Sequence, residues 1–354
     1  MVDVPPLLSL EVTEHRAQRK RCSGCGRSTT ASFPTEVSAT VGYGPRIKAL
    51  TVYLMNYQLL PYECTSELLE DLFGEPAPGA GTLHSALRSC FEGLEDTEEA
   101  IKAGLSEAQE VAHFDETGLR VCEKGTWVHV ASTTKLTHYA VHQKQGSEAT
   151  KEIGILPSFR GVAVHDGLTA YGNYERCEHA LCNAHHLREL TFVEEEHEQG
   201  WAGEMKALLL EIEEAASGGT QLAPETTGDF ERRYQRVLKA GLAANPPPER
   251  TGKRGRPKQS KGKNLVDRLD GHREAVLRFM GDFRVPFDNN QAERDLRMVK
   301  VKQKVSGCLR TEEGAAAFLR IRGYISTVRK QGENVLAALE DVFTGEPFIP
   351  ALQG

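Results

Sequence analysis

The sequence has 354 residues, of which 39% are hydrophobic and 26% charged, and this length can bury the cores of two or three structural units. No stretch approaches the roughly 18–20 uninterrupted apolar residues of a membrane-spanning helix, and the first residues lack the basic segment and apolar run of a secretory signal. The eight cysteines are scattered rather than arranged as a disulfide framework, so we expect a protein of the reducing cytoplasm with no membrane partner.

The basic residues are unevenly distributed along the chain. Although the formal net charge is −7, residues 251–330 contain 20 Lys and Arg against 9 Asp and Glu. Concentration of positive charge in one segment is typical of a protein that meets phosphate on one face. The alternative is an exposed helical region that is rich in Lys and Arg for solubility.

The first hundred residues indicate a small helical module. Residues 1–35 read as irregular and contain Cys22 and Cys25 in a basic setting. Apolar residues at helical spacing begin near residue 45, and a Gly- and Pro-rich break at 74–79 helps to divide residues 45–94 into three short helices. We predict a helical module at 36–105, of a kind that binds DNA or serves as an accessory unit, although many helical bundles share this outline.

The pattern changes from helical to mixed near residue 111. Apolar and β-branched runs predict five strands, with a hairpin turn at 123–125 and a short helix at 147–156. The strands are expected at 111–115, 126–130, 137–141, 161–165 and 178–182. A hairpin-rich start followed by alternating strands and helices predicts an α/β fold, a mixed sheet with helices on its faces.

The rest of the chain reads as helical. Residues 194–282 form a charged pattern that predicts an all-helical insertion with a basic loop, and a last helical block begins at residue 290. We therefore predict one α/β domain built from 106–193 and 283–335 around the insertion, followed by a C-terminal helix and tail at 336–354.

Two aspartates follow predicted strands. Asp115 ends the first strand and Asp166 follows the fourth. If these strands are neighbours, the two carboxylates lie side by side at a strand-end crevice, where open α/β sheets place their sites. Two facing aspartates repel each other unless a cation lies between them, and Mg²⁺ prefers such oxygen ligands. A third carboxylate would complete a site for two metal ions.

The third carboxylate is expected from the helix that begins near residue 290. Glu293 lies in the first turns of this helix, after a run of residues suited to an N-cap. Asp288 and Asp295 are competing candidates. The basic residues that share the face of Glu293 suit a grip on a phosphate backbone beside the site, and they are Arg297, Lys300 and Lys304.

These motifs resemble a transposase of the insertion sequence 66 family. The resemblance covers nearly the whole chain and is carried by residues 43–50, 57–62, 113–118, 164–171, 179–188 and 288–294. It implies a ribonuclease-H-like fold, interrupted by a helical insertion, in which Asp115, Asp166 and Glu293 form an Asp-Asp-Glu triad that holds two Mg²⁺ or Mn²⁺ ions. The implied activity is cleavage at the ends of a bacterial insertion sequence, followed by attack of the freed 3′-hydroxyl on target DNA.

The same resemblance implies the partners. These are double-stranded DNA, as terminal inverted repeats and as target, a homo-oligomer assembled on that DNA, and accessory proteins of the same element. Such a protein works in the bacterial cytoplasm and is associated with the nucleoid when bound to DNA.

Zinc is a further candidate metal, at two places in the sequence. Members of the family carry a zinc finger with two cysteine pairs, whereas this chain has one pair, so we expect residues 1–35 to be the remnant of that region in an N-terminally shortened chain, with His15 as a third candidate ligand. Cys182 and His185 resemble the Cys-x-x-His element of several ribonuclease-H-like transposases. They either brace the site or contact DNA, with zinc as a further reading, or they are a small buried cysteine beside a polar helix start.

Other interpretations remain open at this stage. Arg254 and Arg256 lie in an Arg-Gly-Arg-Pro segment that would enter a narrow minor groove or contact phosphate from a mobile loop. The chain could also be an inactive or domesticated DNA-binding relic, or a ribonuclease-H-like nuclease or resolvase acting on structured nucleic acid. A zinc hydrolase built on the Cys182 cluster would require the three acids to be incidental.

Overall fold

The computed structural model describes residues 10–34, 37, 40–74, 77–218, 222–248 and 259–351. Within these residues the chain divides into two compact units. The first falls within Met1–Asp96 and Gly332–Phe348, and the second within Thr97–Gln331 and Ile349–Gly354. The domain boundaries expected from the sequence stay predictions.

The first unit combines a short hairpin with a group of helices. Its elements are β1 (Arg19–Arg21), β2 (Ser28–Thr30), α1 (Pro45–Val52), a π-helical segment (Tyr53–Tyr57), α2 (Tyr62–Phe73), α3 (Ala80–Gly93) and the C-terminal helix Val335–Thr344. The three helices predicted between residues 45 and 94 are confirmed, and Met55, Leu69 and Leu83 form a core between them. The irregular structure predicted before residue 35 is wrong where β1 pairs with β2, because these fully exposed strands lack the apolar alternation that reveals a strand.

The second unit is built on a mixed five-stranded sheet. Its strands are β3 (Val111–Val121), β4 (Lys124–Ser132), β5 (Thr137–His142), β6 (Val162–His165) and β7 (Glu178–Leu181). The order is β5-β4-β3-β6-β7, with β3, β4 and β5 antiparallel and β3, β6 and β7 parallel. The predicted α/β class, a ribonuclease-H-like mixed sheet with flanking helices, is confirmed, and so is the adjacency of the first and fourth predicted strands.

One strand is longer than the sequence indicated. We expected the first strand of the sheet to end at Asp115, but β3 continues to Val121 and pairs with β4 from His113 to its end. The turn of this hairpin is formed by Cys122 and Glu123, which have φ values of 50° and 64°. The extension has a physical reason. The pairing of β3 with β6 ends before Asp115, but its pairing with β4 continues and supplies backbone hydrogen bonds to the second half of the strand.

The two faces of the sheet pack against different helices. Ala112 and Phe114 face a core that includes Ile101 and Leu105 of α4 (Glu95–Glu107). Val162 and Val164 of β6 belong to the core on the other side. Because successive strand residues alternate between faces, Asp115 lies on the face opposite to Phe114.

The core on that other side is shared with an all-helical insertion. After α5 (Ser147–Ile153) and the central strands, the chain forms α6 (Asn183–His197), α7 (Gly200–Ala216), α8 (Pro224–Ala244), α9 (Lys261–Gly271) and α10 (Arg273–Gly281) before it returns to the sheet. The predicted insertion is confirmed, but Arg254 and Arg256 lie outside the described residues. None of the helices in the described parts of the chain is long and apolar enough to cross a bilayer.

Two helices complete the second unit, α11 (Asn290–Ser306) and α12 (Glu312–Lys330). α11 packs against β3 and β4, and α12 packs along the edge strand β5. Gly323 permits this close approach, because a Cβ at that position would lie 3.1 Å from the carbonyl oxygen of Thr137. The backbone N–H of Thr137 donates to the hydroxyl of Thr327 at 3.0 Å, so α12 also covers the exposed edge of the sheet.

Candidate active site

The two predicted aspartates lie at matching positions on adjacent strands. The parallel register of β3 and β6 aligns Val111 with Val162 and continues to His113 and Val164. Asp115 and Asp166 are each four residues beyond the first aligned pair, so the same register brings them opposite each other. Because neighbouring strands lie about 4.7–4.9 Å apart, the two carboxylates leave the sheet close together.

A tight turn fixes Asp166 at the end of its strand. Asp166 directly follows β6, and the backbone N–H of Leu168 donates to its carboxylate at 2.9 Å. Gly167 between them has a φ of 92°, in the left-handed region that favours glycine. The turn therefore depends on the Asp-Gly sequence that follows the strand.

The pKa of Asp115 depends on its burial and on the neighbouring acids. Burial raises its pKa to about 7, and a hydrogen bond from the backbone N–H of Glu116 opposes this shift. The negative charges of Glu116, Asp166 and Glu293 raise the pKa further. The charges of the two other predicted acids, Asp166 and Glu293, thus act on Asp115.

Glu293 comes to the site from α11. It lies in the first turn of this helix, as expected, and its backbone N–H donates to the carbonyl oxygen of Asn289 at 3.2 Å. Asn289 is the N-cap residue, yet its side chain does not cap the helix. The position of Glu293 relative to the sheet therefore depends on what the side chain of Asn289 binds.

Asn289 ties the start of α11 to the central strand. It is 1% exposed, and its amide nitrogen donates to the carbonyl oxygen of Phe114 at 2.9 Å. Its amide oxygen lies 2.8 Å from Nδ1 of His113 and accepts a hydrogen bond from it. Burial lowers the pKa of His113, so this contact is between neutral groups. Asn289 thus anchors the helix that carries Glu293 to the two residues of β3 that immediately precede Asp115.

The two other candidates for the third carboxylate, Asp288 and Asp295, differ from Glu293 in their surroundings. Asp295 forms a half-buried ion pair with Lys330 at 3.0 Å, and its carbonyl oxygen accepts from the hydroxyl of Tyr139. Asp288 accepts from the backbone N–H of Asn290 at 2.9 Å. Both carboxylates therefore have local structural partners, whereas Glu293 is the one whose charge acts on Asp115.

Glu293 also lies beside Cys182 and His185. Candidate ligand atoms of these three residues are all within 4.8 Å of one another, and no other such group of three occurs among the described residues. Cys182 is 1% exposed and immediately precedes α6. Glu293 is therefore within ligand range of the Cys-x-x-His element of α6. Its charge acts on Asp115, but the described residues do not bring Asp115, Asp166 and Glu293 together as a group within that distance.

Sequence reasoning missed a fourth carboxylate at the site. Glu116 accepts hydrogen bonds from the hydroxyl of Tyr171 and from the side-chain amide of Gln145, the latter at 2.9 Å. Burial raises its pKa, these two hydrogen bonds lower it, and the charge of Asp166 raises it. The available signal was two consecutive acids within an apolar strand, an uncommon pattern in a buried segment.

The predicted basic residues of α11 differ in their surroundings. Arg297 and Lys304 are exposed, whereas the ammonium of Lys300 donates to the carbonyl oxygen of Gly118 at 2.6 Å. Gly118 lies three residues beyond Asp115 on β3. The contact with Lys300 therefore places this part of α11 beside β3, close to Asp115. All three side chains are exposed, but Lys300 is the one that bonds to the backbone of β3.

Cys22 and Cys25 lie in the exposed turn between β1 and β2. Backbone N–H groups, first that of Cys25 and then that of Gly24, lower the pKa of Cys22. Within the described part of the chain no third histidine, cysteine or carboxylate joins them at the spacing that one ion requires, and His15 is exposed. The pair alone supplies half of the four ligands of a structural zinc site.

Comparison with known proteins identifies the family. A search of curated proteins found no match. A family model described as Transposase IS66 family matches residues 40–317, which include the three acids, the Cys-x-x-His element and the whole helical insertion. This match covers well over half of the chain and agrees with the resemblance of its motifs. The chain belongs to the transposase IS66 family.

Proposed function

We propose that this chain cleaves DNA at the ends of a bacterial insertion sequence and joins the freed 3′-hydroxyl to target DNA. Asp115, Asp166 and Glu293 are the proposed catalytic acids. Membership of a transposase family supports the general role, and the observation that carries the specific one is the placement of Asp115 and Asp166 at corresponding positions of the adjacent strands β3 and β6. Neighbouring acids in a partly buried site are unfavourable without a cation, which is the arrangement that a metal-dependent site requires.

The donor set fits two Mg²⁺ or Mn²⁺ ions. It consists of carboxylate oxygens, the hard ligands that these ions prefer. When bound, two such ions assist the attacking and the leaving oxygens of an in-line displacement at phosphorus. Asp115 and Asp166 would hold the ions from the sheet, and Glu293 would complete the set from α11.

The remaining residues of the site position the acids and the DNA. Glu116 and Tyr171 form a hydrogen-bonded pair next to Asp115, which adds negative charge and restrains the strand. Arg297 and Lys304 would neutralise phosphates of the strand that enters beside Glu293. Arg254 and Arg256 are proposed as further DNA contacts from the basic loop.

The proposed setting follows from the substrate. Joining two element ends to one target requires that two active sites meet, so we propose a homo-oligomer that assembles on DNA in the bacterial cytoplasm. Terminal inverted repeats and target DNA are the proposed nucleic-acid partners, together with accessory proteins of the same element.

The test is strand cleavage and joining by the purified chain on duplexes that carry its own element ends. We expect cleavage to fall at least about a hundredfold in each of three variants, Asp115→Asn, Asp166→Asn and Glu293→Gln. Loss of a residue that only orients a metal ligand already lowers activity by up to about a hundredfold, and loss of the ligand itself should lower it at least as much. Glu313→Gln, an exposed acid at the start of α12, is the matched control and should cleave like the wild type. Omission of the divalent cation should abolish cleavage in every case.

Other outcomes would assign a different function. Metal-independent DNA binding without cleavage would identify an inactive DNA-binding relic. A preference for branched or RNA–DNA hybrid substrates over linear element ends would identify a nuclease or resolvase. Equal cleavage by the wild type and the three acid variants would reject the proposed catalytic acids.

A further inference from the structure

A second set of metal-ligand side chains meets at Glu293. The thiol of Cys182, a ring nitrogen of His185 and a carboxylate oxygen of Glu293 lie within 4.8 Å of one another. Two of these residues come from the start of α6 and the third from the start of α11, so the cluster links two elements that lie far apart in the sequence. A local sequence preference does not account for a meeting of this kind.

Backbone N–H groups point to the sulfur of Cys182. Its sulfur accepts the backbone N–H of Asn289 at 3.2 Å, and the N–H groups of Ala184 and His185 at the start of α6 also point to it. Backbone donors at a helix N-terminus stabilise a thiolate.

His185 supplies an independent indication. Its Nδ1 atom is buried and has no hydrogen-bond partner among the described residues. The next residue on the helix, His186, shows the usual alternative, because its Nδ1 lies 3.0 Å from the side-chain oxygen of Asn183. A buried ring nitrogen without a partner is uncommon and calls for a ligand or an ion.

The chemistry of the three donors selects the ion. A sulfur, an imidazole nitrogen and a carboxylate oxygen form a mixed set that suits Zn²⁺, whereas Mg²⁺ prefers oxygen alone. Three protein ligands leave the fourth position of a tetrahedral ion open to water or another ligand. We propose that Cys182, His185 and Glu293 bind a zinc ion.

Zinc at this position would share a ligand with the acidic site. A carboxylate that coordinates zinc beside α6 is drawn away from Asp115 and Asp166, so zinc and magnesium would compete for Glu293. This competition rests on the proposed function, whereas zinc binding itself does not. It would make the metal content of the Cys-x-x-His element a regulator of the acid site.

Cobalt substitution tests the site without any catalytic assay. The test uses the full chain with Cys22→Ser and Cys25→Ser, which removes the exposed cysteine pair. We expect one Co²⁺ per chain, with the absorption band of a thiolate–cobalt bond, displaced by one equivalent of Zn²⁺. Binding should release a proton from the thiol, so the affinity should increase with pH.

Three variants and one control decide which side chains bind. Cys182→Ser should abolish the thiolate–cobalt band, and His185→Gln and Glu293→Gln should weaken zinc binding at least about tenfold. His185→Gln and Glu293→Gln do not remove the buried thiol, so they keep the test decisive if Cys182→Ser fails to fold. Cys177→Ser, a buried cysteine outside the cluster, is the matched control and should retain the band. Absence of the band, or its survival in Cys182→Ser, overturns the proposal.

Competition with magnesium tests the shared ligand. At constant ionic strength, saturating Mg²⁺ should weaken zinc binding several-fold in the chain with Glu293 and leave it unchanged in Glu293→Gln. Equal effects in both would reject a shared carboxylate. A cobalt site combined with acid-independent cleavage would remove the proposed function and retain the zinc site, whereas acid-dependent cleavage without a cobalt site would do the reverse.

Discussion

The two halves of the candidate active site are held in place by different kinds of structure. Asp115 lies on β3 and Asp166 directly follows the neighbouring strand β6, and the pairing of these strands just before the two acids sets their relative position. Glu293 lies on a helix whose start is joined to the sheet through side chains, above all that of Asn289. The sheet half is therefore fixed by a continuous ladder, and the helix half by a few individual contacts.

This difference predicts where the site is sensitive. A strand cannot shift its register by one residue without turning every side chain to the other face, so single substitutions will not separate the two aspartates. The helix can move when one buried side chain is lost. We therefore expect residues that never touch the substrate to control the position of Glu293.

Substitution of Asn289 should have the largest effect of this kind. Asn289→Ala leaves the Nδ1 of His113 and the carbonyl oxygen of Phe114 buried without their partners, which costs about 1–3 kcal/mol for each group. We expect the free energy of unfolding to fall by about 2–4 kcal/mol. Displacement of Glu293 by about 1 Å should also lower strand cleavage roughly a hundredfold.

The adjacent asparagine supplies the control. Asn290 is exposed and bonds to Asp288 in the same turn, so Asn290→Ala should change stability and cleavage little. Denaturant unfolding and single-turnover cleavage measure the two quantities. If Asn289→Ala and Asn290→Ala behave alike, α11 is not positioned by this anchor and the contrast between the two halves of the site does not hold.

The sequence predicted the sheet half of the site better than the helix half. Strand patterns predicted the strands that precede Asp115 and Asp166, and the structure shows that these strands are neighbours, the condition on which the site depended. Glu293 is separated from them by the entire helical insertion, so only its N-terminal position on a helix and the family resemblance indicated it. No local rule predicts how an insertion of several helices returns the chain to a sheet.

The contacts that sequence reasoning missed are all between residues far apart in the chain. His113 with Asn289, Glu116 with Tyr171, and Cys182 with Glu293 each depend on how separate elements pack. The length of β3 was missed for a related reason, because its second half is stabilised by a partner strand and not by its own apolar pattern. Periodicity reports which face of an element is buried, but not which side chain it meets there.

The charge of Asp115 provides a test of intermediate size. Its folded-state pKa of about 7 lies above the unfolded value near 3.9, so ionisation destabilises the metal-free protein. This destabilisation is absent below about pH 4, grows as pH rises, and is complete above about pH 7. Asp115→Asn removes it and should stabilise the metal-free protein at pH 8 by on the order of 2–4 kcal/mol, or roughly 5–10 °C in Tm.

The pH dependence distinguishes this effect from ordinary packing. The gain in Tm of Asp115→Asn should fall to less than half at pH 5, and Mg²⁺ should stabilise the wild type more than the variant. Asp270→Asn, at an exposed position on α9, is the control and should show neither behaviour. A gain in Tm that is independent of pH would mean that burial and the neighbouring acids do not raise the pKa of Asp115.

The smallest expected effect concerns the outer face of the helix half. If DNA passes along α11 beyond Glu293, Arg297→Ala and Lys304→Ala each remove one phosphate contact. Each should lower the slope of log affinity against log salt concentration by about 0.9 and weaken binding uniformly across DNA sequences. Lys300→Ala should have an additional effect on stability, because its ammonium also bonds to the backbone of β3.

A lysine elsewhere on the surface shows whether the location matters. Lys239→Ala makes the same change of charge at an exposed position on α8 and should leave the salt slope unchanged. Fluorescence anisotropy with one duplex over a range of salt concentrations measures all four variants. An equal loss of affinity and of salt slope in Lys239→Ala would show that DNA does not prefer the face of α11. The helix half of the site would then contribute Glu293 alone, and the DNA would have to bind another surface of the unit.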